Sequence, residues 1–488
     1  MTSKTSVPDL SRRKFVGACC AAVGATGMLS AMAQLRLIGA VASPNNGASS
    51  LMPSALQTDF KALVCLFLAG GNDANNLIVP SDASTYAAYA AGRGALALPQ
   101  ASLLSIAPRT SDGRTWGLHP ALGTNPDGSV GGLKDLFDQG KMALVANVGT
   151  LAYPLTQAQY NSRPDLRPMQ LFSHSDQQVE WQSSLADKPF TTGWGGRLAD
   201  LTNAFNTNNK VSMAITLAGQ NSFQVGKTVS QYAVGTNGAI SLTGSSTKAT
   251  TQPGIRTAAL TDSLAAQNTN LFEAAFGAVT QKAITNSALL SSAVSGTSPF
   301  ASYFTGLNSS LSQQLHMIAR LVNAQAALGL NRQVFFAQVG GWDLHDSQVN
   351  LGNTVNGAHA NLLRDLSKSV TAFYNALASV GAQDQVTTFT ASDFGRTYNT
   401  NGDGSDHGWG SHHLIVGGAV KGGDIYGRMP TFAINGPDDT GRGRWIPTTS
   451  VDEYSGTLAK WFGVSPTDLP TVLPNLSRFA NPDLGFMG

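Results

Sequence analysis

The chain has 488 residues, 42% of them hydrophobic and 12% charged, with 52 glycines and a formal charge of +2. Soluble domains usually carry about 25% charged residues, so a large core beneath a neutral, polar surface is expected. Lys4, Arg12, Arg13 and Lys14 against Asp9 account for the positive balance; the remaining 27 basic and 28 acidic residues exclude a basic field that would hold nucleic acid or an anionic membrane.

The first segment is a targeting signal in pattern. Ser11-Arg12-Arg13-Lys14-Phe15-Val16 opens a mild Ala/Gly-rich apolar run to about Ala33, where Ala31-Met32-Ala33 offers a small-residue cleavage site and Ala40-Val41-Ala42 a second. This reads as a twin-arginine export signal over residues 1–33, with the export machinery as partner and a periplasmic or secreted destination. The competing reading is a membrane span, but the run is short and weakly hydrophobic, so no stable span is expected after signal removal. Cys19 and Cys20 fall inside the signal. Cys65 alone follows it, which leaves no internal disulfide or zinc-thiolate cluster and makes Cys65 a small buried hydrophobe.

Residues 34–59 read as a loose leader. Lys61 to Ala69 is then a continuous apolar strand of the kind buried on both faces of a parallel sheet, and it ends at Gly70-Gly71-Asn72-Asp73. Met142 to Gly149 repeats the form after a short helix with a glycine stop at Gly140. From about 203 to 306 the composition turns to Thr, Ser, Asn and Gly, which predicts an insertion or lid. A helix follows from about Ser310 to Leu328, in which His316 is read as a packing or surface residue. The core pattern resumes with Val334-Phe335-Phe336-Ala337-Gln338-Val339-Gly340-Gly341-Trp342-Asp343-Leu344-His345-Asp346. Next come a helix from about Val355 to Val380 and a strand, Gln385 to Ala391, that ends at Ser392-Asp393-Phe394-Gly395-Arg396. Strands alternating with helices and ending in glycine predict an α/β domain over 60–488, a doubly wound, mostly parallel sheet flanked by helices.

Three apolar strands each deliver an aspartate just past their C-terminal ends: Asp73, Asp343 and Asp393. Those ends lie along one edge of a parallel sheet, and gathered carboxylates repel unless a cation holds them. Asp343 and His345 are alternate residues, so both side chains reach one side of an extended chain; Asp346 faces away as a turn residue or a partner of a ligand. The glycine-loosened loop Gly404 to His413 adds His407 and, behind it, His412. The predicted ligands are Asp73, Asp343, His345, Asp393, His407 and His412 around one or two divalent ions, with Zn, Mn, Mg and Ca all open.

The segments LFLAGGNDANNLIVP, LFSHSDQQVEW, GGWDLHDSQ, TASDFGRT and DHGWGSHHLIVGGAVKGGDIYG, in this order behind a paired-arginine signal, resemble domain-of-unknown-function family 1501, exported bacterial proteins related to the alkaline phosphatase and sulfatase superfamily. The resemblance implies an alkaline-phosphatase-like fold and a two-metal site. Asp73 would be its first-strand carboxylate, Asp343 and His345 the middle pair, Asp393 the later carboxylate, and His407 or His412 the last imidazole. Relatives commonly place His after the later Asp, whereas Phe394 stands here, and no Cys-x-Pro-x-Arg sulfatase pattern is present.

The predicted function is an exported metal-dependent hydrolase of phosphate or sulfate esters, acting on a small or polymeric ester; the alternative is a non-catalytic, metal-stabilised binding or assembly protein. Ser173 and Ser175, at the start of a helix, are the candidate nucleophiles, although Ser before Asp-Gln-Gln is also an ordinary helix cap. Arg396 and Asn72 are the candidate substrate-binding residues, against a salt bridge for Arg396 and turn chemistry for Asn72. His119, before Pro120, is read as structural. A lipase-type site is disfavoured because no Gly-x-Ser-x-Gly elbow occurs.

Overall fold

Thirteen strands are formed among the described residues of the computed structural model, which are 59–124, 131–207, 210–240, 244–246, 248–265 and 270–488. The expected signal, 1–33, and the leader up to residue 58 lie outside them. In chain order the strands are β1 (Lys61–Leu68), β2 (Ile78–Pro80), β3 (Leu104–Ile106), β4 (Trp116–Leu118), β5 (Met142–Gly149), β6 (Ala214–Thr216), β7 (Tyr232–Gly235), β8 (Gly238–Ala239), β9 (Arg332–Val339), β10 (Val386–Ser392), β11 (Ser411–Val416), β12 (Ile425–Tyr426) and β13 (Thr449–Ser450).

Ten of these make one sheet in the order β12-β5-β11-β10-β1-β9-β6-β7-β8, with β13 also paired to β5. β1 sits at its middle, parallel to both β9 and β10, and Ala62 through Leu68 are all buried. A strand covered on both faces cannot alternate polar and apolar residues, which is why its sequence is one apolar run. The exception to parallel pairing in the centre is β11, antiparallel to β10 and β5. The short strands β2, β4 and β3 form a separate antiparallel sheet.

Helices flank the large sheet. Ala358–Ala378 buries Leu363, Leu366, Val370, Phe373 and Leu377 along one stripe and packs against Ser310–Asn323, which in turn lies on β9. Val451–Phe462 contacts β1 and β5, its start set by a capping box between Ser450 and Glu453. The result is a mixed α/β architecture with a large, mostly parallel sheet. No described helix is long and apolar enough to cross a membrane.

The region 203–306, expected as one insertion, divides. β6, β7 and β8 belong to the main sheet because Ala214 and Ile215 are apolar enough to be buried beside β9. A second compact unit draws its described residues from 242–285 and carries the helix Gln252–Ala265 and the first part of Leu271–Ala293.

The exits from the strands depend on glycine. Gly70 has φ +122°, and a β-carbon there would lie 2.4 Å from the Asp343 amide nitrogen; at Gly71, φ +89°, it would lie 2.8 Å from the Phe394 ring. The loops after β9 and β10 therefore close over a backbone that no side chain separates from them. Gly70→Ala is expected to cost ~1–3 kcal/mol of unfolding free energy, read as a lower urea midpoint with an unchanged slope.

Candidate metal centre

The register of the central strands decides what meets at the sheet edge. Leu68 of β1 is opposite Val339 of β9 and Ser392 of β10, so the segments that follow all leave the sheet together. β11 runs the other way, which brings its start, and the loop carrying His407, to the same edge. The helix His174–Ser183 lies against β10 and presents His174 at its first position.

Four side chains converge there. His174, Asp343 and His407 offer ligand atoms all within 4.8 Å of one another. The His345 Nε2 stands 3.0 Å from both the His407 Nε2 and the Asp343 Oδ1. The His407 Nε2 is 3.4 Å from Asp343 Oδ1, and the His174 Nε2 is 3.4 Å from Asp343 Oδ2. Tetrahedral coordination at zinc-like bond lengths requires ligand atoms roughly 3.3 Å apart.

The other face of each imidazole shows which nitrogen carries the proton. The His174 Nδ1 is 2.6 Å from the Asp393 carboxylate, the His345 Nδ1 is 3.2 Å from Asp406, and the His407 Nδ1 is 2.8 Å from the Phe172 carbonyl. All three partners are acceptors, so each Nδ1 donates, and in the neutral ring Nε2 is the nitrogen left to accept or to bind an ion. The His174 Nε2 is buried and makes no hydrogen bond. With the rings neutral these nitrogens and the Asp343 carboxylate offer a cation several donors; His174, Asp343 and His407 form the mutually closest set, and His345 adjoins it through His407 and Asp343. The residues fit a divalent ion, and an imidazole-rich set favours zinc over magnesium or calcium.

The supports are themselves built with care. Gln170 (φ 49°) and Phe172 (φ 71°) take left-handed backbone, rare for large side chains, and this turn aims the Phe172 carbonyl at His407. Asp393 is fully buried and accepts from the Gly70 amide at 3.0 Å and Gln178 at 2.8 Å besides His174. That hydrogen bond to Asp393 raises the His174 pKa above the usual histidine range, against the effect of burial. Burial lowers His407. Burial alone would raise Asp343, but Arg396, whose Nη1 is 2.7 Å from Oδ1, holds it below the usual carboxylate range. Phe394, at the position where the resemblance leads one to expect histidine, packs its ring against His174 and His407 at centroid distances of 4.7 and 4.6 Å. It gives the cluster an apolar wall.

Of the residues expected from the sequence, Asp343, His345 and His407 come together and three expected ligands do not. Asp73 is buried and paired with Arg93, and it also accepts from Gln348 and Asn75. Burial opposes its ionisation, yet these partners keep its pKa below the usual range. Asp393 supports His174, its oxygens being taken as described. His412 lies within β11, accepting from the Asn147 amide at 2.9 Å, and burial lowers its pKa to about 4. Only the side chain before the strand is free to reach the edge.

Among the other candidates, Asn72 is buried and its side-chain oxygen accepts from His359 at 3.1 Å. Arg396 is buried against Asp343, Gly70 and Ser405. Ser173 precedes the helix without capping it through its side chain; its hydroxyl donates to Asp176 at 2.5 Å, and Ser175 is exposed. The sequence reading missed His174, although it lies between the two serines singled out, and it missed Asp406 and the Phe172 carbonyl as supports.

The family comparison bears on this site because it spans every one of these residues. A model of the family described as "Protein of unknown function (DUF1501)" matches residues 60–440. The chain belongs to this family. The DUF1501 match runs from β1 past β12 and so includes the whole convergent cluster. A search of the curated proteins found no match. Among solved structures, the crystal structure of Ps i-CgsB in complex with k-i-k-neocarrahexaose is similar over 86% of this chain and 77% of that one, with 11% identity and a TM-score of 0.33. A likeness at that level carries no argument about this DUF1501 protein.

Two outcomes follow from the geometry. In competition titrations with zinc, Asp393→Asn and Asp406→Asn are each expected to bind the ion about 10–100-fold more weakly than wild type, because they loosen an imidazole without removing it, and His412→Gln is expected to match the wild-type stoichiometry. On the same helix as His174, burial pushes Glu180 from an ordinary 4.5 to about 9. Between those values the unfolded chain has released a proton that the folded chain keeps, so this group erodes stability as pH rises from about 5 to 9. Urea midpoints of Glu180→Gln across that range should fall less steeply than those of the wild type.

Proposed function

We propose that this protein is an exported metal-dependent hydrolase of phosphate or sulfate esters, with His174, Asp343, His345 and His407 holding a divalent ion. The observation that carries the reading is the inward convergence of three Nδ1-anchored imidazoles on one carboxylate at the strand-end edge of an α/β sheet, where such folds bind ligands. A bound divalent ion supplies Lewis acidity toward an ester oxygen.

The chain's own groups divide the remaining work. Asp393, Asp406 and the Phe172 carbonyl hold the imidazoles in one tautomer. Arg396 fixes Asp343 and keeps it ionised. Ser173 adjoins His174, and its hydroxyl already donates to Asp176, which makes Ser173 the nucleophile of choice and Asp176 the group that receives its hydrogen bond. Ser175, two residues on and exposed, is the second choice. The ten-residue helix beginning at His174 directs its amide dipoles toward an anionic group at this point.

The relation to the alkaline phosphatase and sulfatase superfamily, and with it an alkaline-phosphatase-like fold, is part of this reading in a modified form. Asp73, the first-strand carboxylate of the two-metal scheme, has Arg93 as its counter-ion, so we assign a single metal. Export by the twin-arginine route to the periplasm or beyond rests on the paired arginines at 12 and 13.

The alternative, a non-catalytic metal-stabilised protein, is favoured by one observation: among the described residues no hydroxyl or thiol hydrogen-bonds to the four ligand atoms. Zinc-reconstituted protein assayed on aryl phosphates and aryl sulfates separates the two. The hydrolase reading expects one ion per chain and a fall in kcat/KM of about 100-fold or more in His174→Ala, Asp343→Ala and Ser173→Ala. A wild type that binds zinc and gains thermal stability from it, without turning over either ester class, would establish the alternative.

A further inference from the structure

The loop 439–444 stands at the rim of this cluster, and its construction is not explained by the metal ligands. Asp439 is buried, and its Oδ1 accepts from the amides of Gly441, Gly443 and Arg444 at 2.7, 2.8 and 3.1 Å. To bring those amides to one oxygen the chain takes three successive left-handed residues, Gly441 (φ 121°), Arg442 (φ 61°) and Gly443 (φ 70°). Two are glycines, for which this conformation is free; Arg442 carries the strain.

The strained turn places two guanidinium groups against the supports of the metal ligands. Arg442 Nη1 is 2.6 Å from Asp406 Oδ2, and the other oxygen of Asp406 holds His345. Arg444 donates from Nε to the His407 carbonyl at 2.9 Å and lies over the Phe172 ring at 4.5 Å. Arg444 is half-exposed, and its two Nη groups make no hydrogen bond among the described residues. The Arg442 side chain is 47% exposed. Asp406 already receives Asn401 at 2.8 Å and His345, so a half-exposed arginine held in strained backbone exceeds what that carboxylate needs.

We propose that Arg442 and Arg444 form a subsite for a second anionic group of the substrate, separate from the group that meets the metal. The substrate class is thereby an ester that carries a carboxylate, phosphate or sulfate on the part distal to the reacting centre. This rests on the ester-hydrolase reading of the same cluster and adds the shape of its substrate. Guanidinium forks match planar and tetrahedral oxyanions with paired hydrogen bonds, and the Phe172 ring beneath Arg444 keeps one fork from swinging away. Among the charged groups bonded to the four convergent residues or their supports, Asp343, Asp393 and Asp406 balance Arg396, Arg442 and Arg444. With Asp439 of the same loop counted as well, a divalent ion leaves one net positive charge in this group, and the two guanidinium groups are where an anionic part of the substrate can meet it.

The test uses ligands that are not turned over, so that it stands apart from hydrolysis. Zinc-loaded full-length protein is titrated calorimetrically with phenylphosphonate and with 4-phosphonobenzoate, which differ by one carboxylate. Wild type is expected to bind 4-phosphonobenzoate about tenfold more tightly or better. Arg444→Gln and the Arg442→Gln/Arg444→Gln double variant should erase that preference while retaining one zinc per chain and the native circular dichroism. Equal affinity of wild type for the two ligands, binding of neither, or a preference that survives in the double variant overturns the subsite. Failure of the hydrolase reading has a different signature: the preference is present and no ester is hydrolysed.

Discussion

The edge chemistry of this protein depends on three parallel strands that stop in the same register. With Leu68 opposite Val339 and Ser392, the chain leaves β1, β9 and β10 at one level, and the antiparallel β11 enters beside them. Gly70 and Gly71 then let the segments carrying Asp343 and Phe394 lie directly on the β1 exit, where a β-carbon would push them off. Residues separated by more than two hundred positions thus become neighbours, carried on the 18-residue connections that follow β9 and β10. The sheet supplies the precision, and the loops supply the chemistry.

Bringing carboxylates to one edge creates an electrostatic problem that the fold answers separately for each. Asp73 receives the buried guanidinium of Arg93, which is also held by the carbonyls of Thr397 and Tyr398 and by Asn76. Asp393 receives the His174 Nδ1. Asp343, the most exposed of the three, receives Arg396 on one oxygen and the inward-facing imidazoles on both sides. A buried ion must be compensated nearby, since its desolvation otherwise exceeds what folding can supply. Two of the three carboxylates are satisfied within the protein. The third, Asp343, has Arg396 on one oxygen and also faces the Nε2 atoms of three imidazoles, the one place at this edge where a carboxylate and several imidazoles meet.

The two polar systems are joined. Gln348 donates to Asp73 and accepts from the Ser405 hydroxyl at 2.6 Å, and the Ser405 carbonyl accepts from Arg396. Asp73 therefore reaches Asp343 through a continuous run of hydrogen bonds. In this arrangement Asp73 serves to stiffen the platform beneath the cluster, with Arg93 doing there the electrostatic work that the two-metal scheme gives to an ion.

Much of this was legible in the residues. Long apolar runs bounded by glycine announce β1, β5, β9 and β10, and the stripe of Leu363, Leu366, Val370, Phe373 and Leu377 announces its helix, because burial on one or both faces is written into hydrophobic periodicity. The sequence alone also placed Asp343, His345 and His407 on the loops that adjoin the strand ends, where the structure brings them together. What it could not determine is which way each neighbour points and what it meets. Asp73 and Asp343 look alike in sequence, yet Arg93 claims one of them; His407 and His412 are five residues apart, yet one precedes an antiparallel strand and the other is enclosed in it. His174 arrives from a helix whose packing against β10 no local pattern records. Those assignments belong to the tertiary structure, since the pairing of charges and the direction of a lone pair are set by partners distant in the chain.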